Sequence, residues 1–168
     1  MQTERIGFSR WTEDDIGFAE TLWGNADVCR YICAKGKFSN DEIKARLALE
    51  IENNDTYDVQ YWPIFELKTG SFIGCCGLRP YENAFYEFGI HLQKTFWGKG
   101  FALEASKAVI DYCFNHLESD KLFAGHHPDN IASKIILEKL GFRLQKTVYY
   151  EPTKRDHPLY VLSESTDH

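Results

Sequence analysis

The chain has 168 residues, 43% of them hydrophobic, with 12 Phe, 9 Tyr and 4 Trp. That is enough apolar surface for the core of one domain, expected to span residues 1–168, and it excludes an intrinsically disordered chain. A formal net charge of −6 argues against non-specific nucleic-acid binding, and no apolar run approaches the roughly 20 residues of a membrane span.

The opening "MQTERIGFSRWTEDD" is polar and acidic early, unlike a signal peptide. The five cysteines, Cys29, Cys33, Cys75, Cys76 and Cys113, fit no zinc spacing and read as reduced thiols of a cytoplasmic protein. Within it, "RIGFSRW" predicts a short strand, and "TEDDIGFAETLW" a helix capped by Thr12 with acids in its first turn. "SNDEIKARLALEIE" pairs Ser39 with Glu42 as a capping box and spaces Ile43, Leu47 and Ile51 by four. The period then changes to two. "QYWPIFEL" and "SFIGCCGL" read as strands joined by a turn at Thr69-Gly70, with Cys75 and Cys76 on opposite faces. "FYEFGIHL" is a third strand. A helix is expected from about Gly98 to His116, with Phe101, Ala105, Ala108, Val109 and Tyr112 as its apolar face. "KLFAG" is a short strand, "NIASKIILEKLGF" a helix stopped by Gly141, and "RLQKTVYY" and "PLYVL" closing strands. Helices interspersed with three consecutive hairpin-type strands predict an α/β fold built on a mixed sheet.

The two glycines of "FWGKGFALEA" stand between a strand and a helix. A helix start exposes unpaired N–H groups and a partial positive charge, and glycine lets an anion approach them. Strand, glycine turn and helix therefore read either as a phosphate cradle or as a tight turn that needs glycine only for its φ angle. Lys99 adds a charge there or faces solvent. The spacing is neither that of a Walker loop nor G-x-G-x-x-G, because Leu103 fills the third position.

Downstream, "HHPDNIASKIILEKLGF" sets Asn130 at a helix start and Ser133 three residues on. With this second segment in place, the chain resembles the GNAT superfamily of acyl-CoA N-acyltransferases, and most of all the branch that includes the ribosomal-protein N-terminal acetyltransferases. The superfamily's pyrophosphate signature Q/R-x-x-G-x-G/A falls on Trp97, Gly98, Lys99, Gly100, Phe101 and Ala102, with Trp97 where Gln or Arg is usual. "TERIGFSRWTEDD" and "TGSFIGCCGL" extend the resemblance over nearly the whole chain. It implies a central mixed sheet splayed into a V that holds acetyl-CoA. The pyrophosphate would lie on the glycine loop and the pantetheine along "FGIHL", against Ile90 and Leu92. A backbone N–H near Leu92 would polarise the thioester carbonyl. No metal is implied. The implied partners are acetyl-CoA and an amine acceptor, with no nucleic acid, no membrane, and a monomeric or homodimeric state.

Acetyl transfer needs a neutral amine and an acid for the leaving thiolate. Many members place a Tyr acid seven residues after the Asn equivalent to Asn130; here that residue is Leu137. The resembled branch implies Ser133 as donor and a cofactor bond for Asn130, although both residues also suit plain capping roles. For the base, Glu87 lies on "FYEFGIHL", on the face of Gly89 and His91 and among Phe85, Tyr86 and Phe88. It could instead clamp the acceptor's ammonium; His91, His126 and His127 are rivals. The acceptor would enter past the loop from Gly24 to Phe38, which carries Arg30 and Tyr31. Direct transfer to a primary amine is the expectation, with a protein N-terminal α-amine, as on a ribosomal protein, one open identity for it. Alternatives are a polyamine or amino-sugar acetyltransferase, an idle acetyl-CoA sensor, and an α/β domain with no CoA site.

Overall fold

The computed structural model describes residues 1–164. Seven strands, β1 (Ile6–Phe8), β2 (Tyr61–Glu66), β3 (Phe72–Pro80), β4 (Tyr86–Leu92), β5 (Lys121–Gly125), β6 (Arg143–Tyr150) and β7 (Arg155–Ser163), form one sheet in the order β1-β2-β3-β4-β5-β7-β6. All neighbours are antiparallel except β4 and β5. The helices are α1 (Ile16–Trp23), α2 (Ala26–Cys29), α3 (Asn40–Tyr57), α4 (Phe101–Asp111) and α5 (Ile131–Lys139).

The expected elements form for the reasons their residues suggest. Ser39 accepts from the Glu42 N–H at 3.3 Å while Glu42 accepts from the Ser39 N–H at 3.0 Å, so α3 begins on a capping box. Gly141, with φ +92°, ends α5. The helix expected from Gly98 starts later, at Phe101, because Gly98 (φ +71°) and Gly100 (φ +83°) take left-handed conformations that a right-handed helix cannot contain. Its last stretch, Tyr112–His116, widens into a π turn. The segment expected as a loop between Gly24 and Phe38 contains α2, whose N–H groups at Asp27 and Val28 donate to the Asn25 side chain.

The sheet separates two cores. On one face, Phe88 and Leu92 of β4 pack with Phe101, Ala105 and Val109 of α4 and Leu137 of α5. On the other, Trp11, Leu22, Trp23, Ile43 and Leu47 cover Tyr61, Phe72 and Cys75. Each large apolar side chain so buried contributes about 1.5–3 kcal/mol. Cys75 and Cys76 fall in different cores, as alternation predicts, and all five cysteines are free and buried. Among the described residues no helix is long and apolar enough to cross a membrane.

The feature that positions the site is where the parallel pair ends. β4 meets β5 only at Tyr86↔Leu122 and Glu87↔Phe123. From Phe88 to Leu92 the two strands part, and the sheet opens into a V.

Candidate active site

At the mouth of the V lies the start of α4. None of the backbone N–H groups from Gly98 to Leu103 has a protein acceptor among the described residues, and Gly100, the N-cap, has no side chain to supply one. α3 and α5, by contrast, are capped by Ser39 and Asn130. A row of free N–H groups at the positive end of a helix is an anion site. A Cβ at Gly98 would meet nothing within 4 Å, so that side of the loop is open. A Cβ at Gly100 would point instead to Arg5, 3.3 Å from its Nη2.

Arg5 is a residue that sequence reading missed. Its Nη1 donates to the Lys99 carbonyl at 2.9 Å, its Nε to Glu104 at 2.7 Å, and its guanidinium lies 4.1 Å from the Phe101 ring centre. Arg5 thus ties β1 to the glycine loop and sets the loop's shape. Lys99 itself is exposed. Ala102, in the first turn of α4, is half-buried.

Along the V, β4 presents an unpaired edge. The Gln93 N–H donates to the Ile73 carbonyl at 2.9 Å, continuing the Gly74↔Leu92 register. In an antiparallel ladder every second residue bonds the same neighbour, so Phe88, Ile90 and Leu92 turn their N–H and C=O groups away from β3; the Phe88 N–H serves the last bridge to β5, Glu87↔Phe123, and beyond it Ile90 and Leu92 face the gap. One of these groups is taken: the Leu92 carbonyl accepts from the Trp97 indole at 2.9 Å. Trp97 therefore has a structural task where the signature usually has Gln or Arg. The N–H groups of Ile90 and Leu92 can pair with an extended ligand backbone or hold a carbonyl oxygen.

Glu87, Gly89 and His91 project to the opposite face, beneath α1 and α3. Tyr61, Gly77 and Gly89 are in register across β2, β3 and β4. The Tyr61 phenol reaches across to Gly89, where any Cβ would collide with the ring and lie 2.5 Å from the hydroxyl. The Arg79 guanidinium sits 4.2 Å from the Tyr61 ring centre and bonds Glu50 at 2.6 and 3.2 Å. The other Glu50 oxygen accepts from the Tyr61 N–H at 2.7 Å. Glu50 is fully buried, at a position of the α3 apolar stripe where its charge was the available signal of a buried pair.

Burial raises the Glu87 carboxyl above the usual carboxylate range, and the Arg79 charge opposes that rise. The surroundings differ from the expected apolar ones: Phe88 points into the other core, and the charge of Glu87 is felt instead by Tyr61 and Tyr81. His91 falls away as a rival base. Its Nδ1 accepts from the buried Trp23 indole at 3.1 Å, which leaves the proton on Nε2, and burial holds its pKa well below the ordinary value.

Across the V, the Asn130 side chain accepts from the Ser133 N–H at 3.1 Å and so caps α5. The Ser133 hydroxyl is half-buried and makes no hydrogen bond among the described residues. Leu137 is buried in the α4 core and takes no part in the site. His126 stacks on Tyr160, with Nδ1 at 2.7 Å from the His127 carbonyl. His127 accepts from the Asp129 N–H at 3.0 Å and lies 5.2 Å from the Tyr31 ring, which places Tyr31 at the rim where α2 faces the β5 end. Among the described residues no three His, Cys, Asp or Glu side chains cluster in a way that could hold a metal ion.

Comparison with known proteins agrees with this geometry. An acetyltransferase (GNAT) domain model matches residues 5–143. The chain is 35% identical to the protein YkkB of Bacillus subtilis (strain 168) over 130 residues, covering 76% of this chain and 74% of that one. Its fold is similar to a GNAT-family acetyltransferase of Bacillus anthracis, with a TM-score of 0.82, 20% identity and 97% of both chains covered. A spermidine N-acetyltransferase of Vibrio cholerae, solved with CoA and spermine, gives 0.79 at 19% identity over 96% of both chains. A ribosomal-protein-S5-alanine acetyltransferase of Vibrio fischeri gives 0.73 at 19% identity, covering 99% of this chain and 97% of that one. With a family model over most of its length and a V-shaped sheet beside an uncapped glycine-started helix, the chain belongs to the GNAT acetyltransferases, enzymes that use acetyl-CoA.

Proposed function

We propose that this enzyme acetylates a primary amine by direct attack in a ternary complex, with a polypeptide α-amine as the best-matched acceptor. The observation that carries the reading is the open β4 edge beyond Glu87, which has cofactor-facing amides on one side and a half-buried carboxylate on the other. Acetyl-CoA supplies an acetyl group already activated as a thioester. In this reading the N–H groups from Gly98 to Leu103 hold its pyrophosphate, with Trp97, Lys99 and Ala102 shaping the loop. The amides of Ile90 and Leu92 align the pantetheine and hold the carbonyl oxygen as negative charge develops. Asn130 borders the cofactor from α5.

Glu87 accepts a proton from the amine as the C–N bond forms, and a carboxyl raised by burial suits that task. Ser133, whose hydroxyl is otherwise unpartnered, donates a hydrogen bond to the departing sulfur. Tyr31 borders the acceptor's entry. A single carboxylate is a modest base, which favours an α-amine: with a pKa of about 8 it is roughly a tenth neutral at pH 7, against far less than one per cent for a lysine.

The test is acetyl-CoA turnover, read by thiol release, over peptides with free N-termini, polyamines and amino sugars. A peptide N-terminus should give the highest kcat/KM. Ser133→Ala should lower kcat by up to about a hundredfold with CoA affinity unchanged. Tight CoA binding with no acceptor turned over would favour the sensor reading instead.

A further inference from the structure

On the acceptor side of the sheet stands one charge with nothing to meet it. Arg46 lies on α3, one turn before Glu50, and makes no hydrogen bond or ion pair among the described residues; its Nε is sealed from solvent without a partner. The guanidinium is held by aromatic rings, 5.0 Å from Trp23 and 5.2 Å from Phe38. Glu50, one turn on, does not bond it: one Glu50 oxygen takes Arg79 and the other takes the Tyr61 N–H, so its charge favours the Arg46 cation only at a distance. Burial and the like charge of Arg79 both work against the Arg46 cation, so the fold keeps it at a cost.

Its position is specific. The Arg46 charge is felt by Tyr61 of β2, Cys75 of β3 and His91 of β4, buried groups on the same side of the sheet as Glu87. Phe38 closes the 24–38 segment past which the acceptor enters. A guanidinium clamped by rings, with its donors unspent, is preorganised for an oxyanion.

We propose that the acceptor amine carries an oxyanion, a carboxylate in the first instance, and that Arg46 receives it while the amine is held toward Glu87. The inference rests on reading this face as the acceptor site. It selects among acceptors, since a polyamine carries only cations and would meet the Arg46 charge with no group to offer it.

The experiment compares matched acceptors on the full chain with acetyl-CoA: amino acids and acidic peptides against their carboxamides, phosphoethanolamine against ethanolamine, and spermidine. The carboxylate form should show a KM about 10- to 100-fold below that of its amide, and this ratio should collapse toward one in Arg46→Met and recover in part in Arg46→Lys. The phosphate arm tells whether a carboxylate or any oxyanion is read. Equal KM for acid and amide in the unmodified enzyme, or spermidine as the best acceptor, overturns the proposal. A second readout needs no turnover: the Arg46 Nε–H resonance should shift saturably as acetate is titrated into the CoA-bound protein, and not with acetamide. A shift without turnover of any acceptor would leave the anion site standing and sink the transferase reading of this face; no shift would sink the anion site alone.

Discussion

Glu87, proposed as the base, illustrates how a partly desolvated carboxylate works against its own fold. Its carboxyl is raised by burial. A group whose folded pKa exceeds its unfolded value contributes stability that is present below about pH 4.3 and is lost as pH rises through the folded value. Glu87→Gln should therefore melt higher than the wild type at pH 7–8, an advantage that shrinks as pH falls toward 4.5. The same variant should lose activity, by about a hundredfold at low pH and less as rising pH deprotonates the amine. Thermal melts and a pH–rate series on one acceptor check both halves. A Gln variant that loses stability at pH 7, or keeps the wild-type pH profile, would remove Glu87 from the base's role.

Among the elements, three helix starts divide by purpose. α3 and α5 are capped by Ser39 and Asn130, while α4 begins on glycine with free N–H groups. Ser39→Ala and Asn130→Ala should each cost about 1 kcal/mol, which for a domain of this size lowers Tm by about 2–4 °C. Only Asn130→Ala should also weaken CoA binding. Equal CoA affinity in the two variants would reduce Asn130 to its cap. Arg5 belongs to this scale as well: a side chain just before the first strand fixes the loop before α4 through the Lys99 carbonyl and Glu104. No local pattern joins residues 94 or more positions apart.

For the whole molecule, the V is a sheet with part of its pairing left open, and a ligand that fills it joins both sides. CoA at about a hundred times its Kd should add about 2.7 kcal/mol, seen as a Tm rise of several degrees. Gly100→Val should abolish that rise while the protein stays folded, because a branched residue cannot easily hold φ +83° and its Cβ presses on Arg5. Titration of CoA in a thermal melt measures both. No shift at millimolar CoA in the wild type would refute the cradle.

Elements whose signals are local could be read directly from the sequence. The capping box at Ser39, the Thr69-Gly70 turn, the Gly141 stop and the opposed faces of Cys75 and Cys76 depend on neighbours within a few residues, and the structure agrees with each. The glycine loop was legible for the same reason, since φ and helix polarity belong to a short segment. Tertiary structure alone decided that β4 and β5 separate after Glu87, that Tyr61 crosses to Gly89, that Trp23 disqualifies His91, and that Arg46 is left unpaired while Arg79 takes Glu50. Each of these depends on which distant chain segment arrives beside which side chain. The charge state and free donors of a buried group follow from that meeting, because burial and pairing, rather than residue type, set what a polar side chain can do.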